Sequence, residues 1–242
     1  MQHVSPKNLH SGSSSTGQRL YLQVADSLAQ LIINDNLSPG DRLSPERELA
    51  QEYEVSRQTV REALIALEVS GLVEIRPGSG VYVLKRENLK TSLVMEDAPG
   101  PLEIMEARTL FEGEAAALAA QRISNEELLK LKAYLKQMED MVALGKIKEA
   151  EEFDGKFHRT IAQATRNSAI ITTVEWLWSL RESSEISRVF NDKIRQKGSN
   201  PNIEAHKQIL ESLSRYDSDA AKKAMQSHLA DVSEAYILFI SD

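Results

Sequence analysis

The chain has 242 residues, of which 41% are hydrophobic and 27% charged, and it contains no cysteine. The length allows two domains of ordinary size, and the lack of cysteine excludes disulfides, thiolate metal sites and cysteine nucleophiles. The net charge of −7 gives no general attraction to nucleic acid, so DNA binding would depend on the local placement of arginines.

The N-terminal third has the element order of a winged helix-turn-helix. Residues 1–18 are polar and predict a disordered arm. Apolar periodicity, turn residues and two short β-type runs predict these elements in order: a helix over 19–35, a turn at 37–41, a short helix capped by Ser44 and running to about Tyr53, a helix over 57–70 capped by Ser56, and a hairpin over 72–83. We therefore expect a winged helix-turn-helix DNA-binding domain over residues 19–84.

The rest of the chain shows only helical periodicity. Residues 85–101 close with two prolines and predict a linker. Helical segments are predicted near 102–121, 125–144, 147–165, 169–191, 202–215 and 218–240, with a capping box formed by Ser124 and Glu127. The fold class is therefore mainly α, with an all-helical bundle of about six helices over 102–242. No run is apolar enough to span a membrane, so we expect a cytoplasmic protein without a membrane partner.

The stretch S-R-Q-T-V-R-E-A-L at 56–64 has the residues that read DNA bases. Arg57 and Arg61 lie four apart on one helix face beside Gln58. Arginine can form paired hydrogen bonds to guanine, and glutamine to adenine. The predicted DNA-contacting set also includes Arg47, Ser56 and Thr59, together with Arg76 and Gly78 at the hairpin tip. Two arginines at this spacing are also common on solvated helix faces, so the DNA interpretation depends on the surrounding helix-turn-helix.

Three histidines and one aspartate fall on the apolar faces of three predicted helices. Asp154 and His158 are four apart on one helix, His206 lies on a second, and His228 on a third. A single inward histidine is most often satisfied by a backbone carbonyl or a carboxylate. Four inward polar groups without partners would each cost about 1–3 kcal/mol, so we expect them to share one divalent metal ion. Zinc is the first candidate, with nickel or manganese as alternatives.

The N-terminal third contains four distinctive motifs: P-G-D-R-L at 39–43, P-E-R-E-L-A at 45–50, V-S-R-Q-T-V-R-E-A-L at 55–64 and G-S-G-V-Y-V at 78–83. Together they resemble the DNA-binding domain of GntR-family bacterial transcription regulators. The resemblance implies DNA contacts from Arg47, Ser56, Arg57, Thr59 and Arg61, with the wing near Gly78.

The helical part of the chain contains four further motifs: E-A-R-T-L-F-E at 106–112, F-D-G-K-F-H at 153–158, E-A-H-K-Q-I-L at 204–210 and M-Q-S-H-L at 225–229. Together they resemble the FCD effector domain of the FadR-type GntR subfamily. The resemblance implies a metal held by Asp154, His158, His206 and His228 beside a small carboxylate or sugar-acid effector. It also places Arg108 and Asn167 at the border of the effector cavity, although Arg108 could instead form a surface ion pair with Glu112.

The stretch V-E-W-L-W-S-L-R at 174–181 is similar to hexuronate-utilisation regulators within this family. Arg181 could point into the effector cavity, and of Trp176 and Trp178 one is expected in the core and the other beside the cavity or at a subunit contact. The sequence therefore predicts a homodimeric regulator, a repressor, that binds a palindromic operator in double-stranded DNA. The alternatives are a metal-ion sensor and a metal-dependent hydrolase. The hydrolase is disfavoured because no separate general base is evident and the N-terminal half would go unexplained.

Overall fold

The computed structural model describes residues 19–34, 37–85 and 98–240. In these ranges it contains ten helices and one two-stranded sheet, which confirms the mainly α fold class. The chain divides into two units: the first comprises Met1–Leu102, Ser184–Phe190 and Tyr236–Asp242, and the second comprises Glu103–Ser183 and Asn191–Ala235. The predicted arm at 1–18 and most of the predicted linker at 85–101 lie outside the described residues.

The first unit contains the predicted helix-turn-helix and wing. Its elements are α1 (Leu20–Ile33), α2 (Glu46–Glu52), α3 (Arg57–Val69), β1 (Val73–Arg76) and β2 (Gly80–Val83). Helix α3 packs against α1, α2 and β1, because seven of its nine buried residues are aliphatic. Between α2 and α3 the chain turns at Glu54, which adopts the left-handed conformation with φ of 55°. Ser44 was predicted as the cap of α2, but the N-cap is Pro45, which has no side-chain hydrogen bond to give.

The wing is larger than the sequence predicted. β1 and β2 pair antiparallel with Arg76 opposite Gly80, as expected for the hairpin. In addition Arg42 bridges to Tyr82, and the N–H of Leu43 donates to the carbonyl of Val81 at 2.8 Å. The residues that follow the predicted turn at 37–41 therefore add a third short strand-like segment to the wing.

The remaining helices are α4 (Pro101–Ala120), α5 (Asn125–Ala143), α6 (Ile147–Ala164), α7 (Ser168–Ser183), α8 (Glu185–Gln196), α9 (Ile203–Ser214) and α10 (Ser218–Ile240). In the second unit α6 packs against α5 and α7, and α5 also packs against α9. The capping box of Ser124 and Glu127 is confirmed.

The predicted segment near 169–191 is two helices instead of one. The break falls at Ser184, whose buried Oγ accepts the backbone N–H of Ser187 at 3.5 Å. A serine at this position satisfies the free N–H groups at the start of a new helix. Helix α8 then continues beyond the predicted end at 191, as far as Gln196.

A candidate metal centre and a DNA-reading helix

Ser56 fixes the start of α3. Its Oγ accepts the backbone N–H of Thr59 at 3.0 Å and lies 2.8 Å from Oγ1 of the same residue, so the predicted N-cap is confirmed. Arg57 at the first helical position is exposed, and Gln58 beside it is half-buried. The first turn of α3 thus presents a guanidinium and an amide together with the positive end of the helix dipole, which suits an anionic, hydrogen-bonding partner.

Arg61 is held by the preceding helix. Its Nε lies 3.2 Å from Oε1 and 3.0 Å from Oε2 of Glu46. The pair connects α3 to the first turn of α2, where Glu46 is buried. Because a guanidinium has five N–H donors, this contact occupies only a part of its capacity.

Two of the predicted DNA-contacting residues, Arg76 and Gly78, lie in the wing. Arg76 is exposed, donates to Oε2 of Glu74 at 2.7 and 2.9 Å, and lies over the Tyr82 ring, 4.5 Å from its centroid. Gly78 at the tip has a φ of +71°, a conformation that glycine adopts without strain. On α2, Arg47 is also exposed. All of the predicted DNA-contacting residues belong to the first unit, and each is at least partly exposed.

The structure brings Asp154, His158, His206 and His228 together. One ligand atom from each side chain lies within 4.8 Å of the others, and all four residues are buried. Asp154 and His158 share one face of α6 because a four-residue spacing is close to one helical turn. His206 comes from α9 and His228 from α10.

The His206 ring is oriented by a hydrogen bond from Nδ1, the ring nitrogen that points away from Asp154. Nδ1 lies 2.7 Å from the backbone carbonyl of Asn202, and Nε2 lies 2.7 Å from Oδ1 of Asp154. A carbonyl oxygen can only accept, so Nδ1 carries a proton, and in a neutral imidazole Nε2 is left with a lone pair. Two lone pairs at this distance repel each other unless a proton or a metal cation lies between them.

His158 is oriented in the same way by Glu112. Nδ1 of His158 donates to Oε2 of Glu112, and Oε1 of that carboxylate accepts a 2.6 Å hydrogen bond from Nε of Arg108. Nε2 of His158 is then a lone pair, 3.4 Å from Oδ1 of Asp154, and it is buried without a hydrogen-bond partner in the described chain. A carboxylate behind a histidine ligand fixes its tautomer and raises its basicity.

The unsatisfied nitrogens fit a bound cation. Nδ1 of His228 is also buried with no hydrogen-bond partner among the described residues. Its ring is 4.4 Å from that of His206, centroid to centroid. Imidazole nitrogens with one carboxylate oxygen are ligands of zinc and of other divalent transition metals. The cluster could therefore hold a metal ion, and its donor atoms suit more than one metal.

The protonation of the cluster favours a cation. Burial raises the pKa of Asp154, but the neighbouring His158 and His206 imidazoles outweigh it and hold this pKa well below its ordinary value. Burial and the two neighbouring imidazoles hold the pKa of His228 well below its ordinary value. Burial lowers the pKa of His158, yet Glu112 and Asp154 raise it by more. The lowered pKa values favour a carboxylate at Asp154 and a neutral ring at His228, the forms that bind a cation.

The three predicted effector-binding residues have different surroundings. Arg108 does pair with Glu112, but both side chains are buried, so this is not a surface ion pair. Arg181 reaches the cluster, since its Nη1 lies 3.6 Å from Oδ2 of Asp154. Asn167 is exposed, and its Oδ1 accepts the backbone N–H of Ala169 at 3.0 Å. Asn167 therefore caps α7, and among the described residues it has no contact with the cluster.

Glu112 belongs to the candidate site, although the sequence did not indicate it. The R-x-x-x-E spacing of Arg108 and Glu112 was visible, but it is equally typical of a pair on a helix surface. The two tryptophans differ in burial: Trp178 lies in the core with 2% of its surface exposed, whereas Trp176 is 54% exposed.

Two parts of the chain match known protein families. Residues 20–83 match the bacterial regulatory proteins of the gntR family, and residues 103–231 match the FCD domain. The chain belongs to the GntR family. This regulator carries the DNA-binding domain of that family followed by the FCD domain, so it binds DNA and responds to a small molecule.

Several relatives of this regulator are named as transcriptional or operon regulators. It is 36% identical to the Uxu operon transcriptional regulator of Escherichia coli K12, over 94% of this chain and 90% of that protein. It is 37% identical to the Exu regulon transcriptional regulator of the same strain, over 88% of this chain and 82% of that protein. It is 30% identical to the putative L-lactate dehydrogenase operon regulatory protein of Escherichia coli K12, over 93% of this chain and 89% of that protein.

These relatives support the hexuronate-regulator subgroup for this regulator. All are named as regulators of operons, so the chain is a transcription regulator and not an enzyme. Among the described helices, none is both long and apolar enough to cross a membrane.

Proposed function

We propose that this regulator is a cytoplasmic homodimeric repressor that binds a palindromic operator and releases it when a sugar acid binds beside a metal ion. The observation that carries the proposal is the convergence of Asp154, His158, His206 and His228 in the second unit. The exposed first turn of α3 supports the DNA-binding half.

In this proposal α3 reads the major groove with its first two turns. Arg57 and Gln58 contact base edges, and Arg61 does so from a position steadied by Glu46. Ser56 and Thr59 contact phosphate oxygens at the positive end of the α3 helix dipole. The flanking contacts to backbone and minor groove come from Arg47, Arg76 and Gly78.

Two copies of the chain would match two operator half-sites, because a dimer with two-fold symmetry requires a palindrome. We assign residues 19–84 to DNA binding, 85–101 to the linker and 102–242 to the effector domain.

Zinc is the metal we propose, held by Asp154, His158, His206 and His228, with nickel and manganese as alternatives. The bound ion would supply a positive charge to which an effector carboxylate can coordinate. Glu112 holds the His158 ring in the tautomer that leaves Nε2 free for the ion.

The proposed effector is a hexuronate or related sugar acid. Arg181 lies beside Asp154, and Arg108 lies behind Glu112 on the His158 side of the cluster. Guanidinium groups bind carboxylates through paired hydrogen bonds. The Uxu and Exu relatives favour hexuronates over short hydroxy acids as the effector class.

Helix α4 offers a route from effector to DNA. At its start the backbone N–H of Leu102 donates to Oε1 of Glu62, a buried residue of α3, at 2.7 Å. The same helix carries Arg108 and Glu112. An effector that engages Arg108 would therefore act on the helix whose first turn is bonded to α3. For binding to change operator affinity, the effector must have different affinities for two arrangements of the DNA-binding domains.

The test uses the full-length protein with its metal content measured on the same sample. Operator fragments are first selected from genomic DNA, and affinity is then measured by fluorescence anisotropy with and without D-galacturonate or D-glucuronate. We expect the uronates to weaken operator binding and to raise the melting temperature. The melting shift should be lost in the Asp154→Ala/His158→Ala variant. Operator affinity that ignores every sugar acid and hydroxy acid would contradict the proposal.

The metal-sensor alternative gives a different result in the same experiment. It predicts that operator affinity follows the concentration of free metal with no organic ligand present. In the acid-sensor proposal the metal stays bound and affinity follows the sugar acid. The hydrolase alternative has no support, since the relatives are transcription regulators.

A further inference from the structure

Trp178 lies directly against the candidate metal centre. Its ring centroid is 5.3 Å from that of His158. Unlike the exposed Trp176, it is buried. The chain has only these two tryptophans, so each can be studied in a variant that lacks the other.

Gly155 leaves room for the Trp178 ring on the helix that bears Asp154 and His158. A Cβ at this position would lie 3.3 Å from Cζ3 of Trp178 and 2.8 Å from Nη1 of Arg159. Glycine destabilises a helix interior relative to alanine. The close approach of the indole to α6 is a physical reason for accepting that cost between two metal-site residues.

The indole N–H of Trp178 is an unsatisfied donor. Nε1 is buried and has no hydrogen-bond partner within the described part of the chain. A buried tryptophan N–H usually donates to an acceptor. An oxygen of a ligand bound at the neighbouring metal centre could supply this acceptor.

Three guanidinium groups surround the same ring. Their Cζ atoms lie 4.0 Å (Arg108), 5.3 Å (Arg159) and 5.4 Å (Arg181) from its centroid. Each guanidinium also has an acidic partner, and these partners are Glu112, Glu182, Glu151 and Asp154.

The local charge limits how many carboxylates the site can take. Three arginines against four carboxylates leave one negative charge, and a divalent metal ion changes this to one positive charge. Arg195 and Asp192 do not alter the balance, because they pair with each other while Arg195 also contacts Glu151. One effector carboxylate neutralises the site, whereas a second would be buried without compensation.

We infer that Trp178 belongs to the effector site and selects a sugar acid that has one carboxylate, several hydroxyls and an apolar C–H face. Its N–H donates to a hydroxyl oxygen of the acid, and its ring packs against the C–H face. The inference rests on the proposed function, in which a sugar acid binds at the metal centre. A dicarboxylic sugar acid has one charge too many, and a short hydroxy acid has no C–H face of comparable size.

The experiment compares Trp178→Phe with the matched variant Trp176→Phe. Isothermal titration calorimetry on zinc-loaded, full-length protein uses four probes. They are the uronates D-galacturonate and D-glucuronate, the dicarboxylic sugar acid galactarate and the short hydroxy acid L-lactate. We expect wild type to bind at least one uronate more tightly than galactarate. Trp178→Phe keeps an aromatic ring but loses the donor, so its uronate affinity should fall about fivefold to tenfold. Its zinc content should not change, and Trp176→Phe should bind as wild type does. L-lactate, which has no C–H face of comparable size, should bind to wild type more weakly than the preferred uronate.

Fluorescence gives a second measurement that does not require Trp178 to be replaced. In Trp176→Phe the only emitting tryptophan is Trp178, and saturating uronate should shift or quench its emission. An unchanged spectrum at saturation, or unchanged uronate affinity in a folded Trp178→Phe, overturns the inference while the proposed function stands. Tighter binding of galactarate than of either uronate also overturns it. If wild type binds no sugar acid, the proposed function itself fails.

Discussion

Nε2 of His206 lies 2.7 Å from Oδ1 of Asp154, although the two residues are 52 positions apart in the sequence. His206 donates its Nδ1 proton to the carbonyl of Asn202, so in its neutral form the contact joins two lone pairs. Helices α6 and α9 therefore meet at a place that a cation stabilises.

The first prediction concerns metal affinity. Asp154→Asn should lower the affinity for zinc by at least about tenfold, because it removes the anionic ligand atom from the cluster. Competition against a chromogenic chelator measures this affinity. Asp140→Asn is the matched control, since the Asp140 side chain is 43% exposed and pairs with Lys136. Equal zinc affinity in wild type and Asp154→Asn would mean that the cluster is not the metal site.

The second prediction concerns Glu112. Glu112→Gln keeps the volume of the side chain but removes the charge that orients and polarises His158. Zinc affinity should fall by about 10–100-fold, the range observed when a partner behind a metal ligand is lost. Glu114→Gln on the exposed face of α4 provides the control. If Glu112→Gln binds zinc as wild type does, Glu112 serves only to hold Arg108.

The third prediction concerns the start of α4. Glu62→Ala leaves the buried N–H of Leu102 without its acceptor and should lower the free energy of unfolding by about 1–3 kcal/mol. Glu62→Gln retains an amide oxygen and should lose less. Urea denaturation followed by circular dichroism measures both, with the exposed Glu52→Gln as the control. A Glu62→Ala variant as stable as wild type would show that the contact contributes nothing.

The fourth prediction is a pH dependence at Glu127. Burial raises the pKa of Glu127, but hydrogen bonds from Arg166 and Ser124 outweigh it and leave this pKa below its ordinary value of 4.5. A carboxyl with a lowered pKa stabilises the folded state above about pH 4.5, and the contribution is lost as the pH falls through the folded pKa. Glu127→Gln should therefore melt below wild type at pH 7, and the difference should shrink between pH 5 and pH 3.

Arg166→Met serves as the control for this pH dependence, since Arg166 forms the ion pair with Glu127 at 2.6 Å. The double variant Glu127→Gln/Arg166→Met should melt close to the single variant Glu127→Gln, because the single variant has already lost the ion pair. A constant melting difference from pH 3 to pH 7 would refute the titration of Glu127.

Most of the helices, the caps at Ser56 and Ser124 and the hairpin followed from the sequence, because these features depend on residues close together in the chain. Ser56 accepts from Thr59 three residues on, and Ser124 forms its capping box with Glu127 at the same spacing. The sequence also selected the four metal-site candidates, since each interrupts an apolar helix face. It missed the helix break at Ser184, where the serine side chain serves the next helix instead of ending the last one.

Only the tertiary structure decided which of these side chains meet and what stands behind them. Glu112 behind His158, Glu62 at the N–H of Leu102, and Trp178 between three arginines each join residues from different helices. Periodicity assigns a residue to the buried face of its own helix, but it leaves the rotation of that helix against its neighbours undetermined. That rotation is set by the packing of the whole core. It decides which inward polar side chains come within contact distance and so form a site.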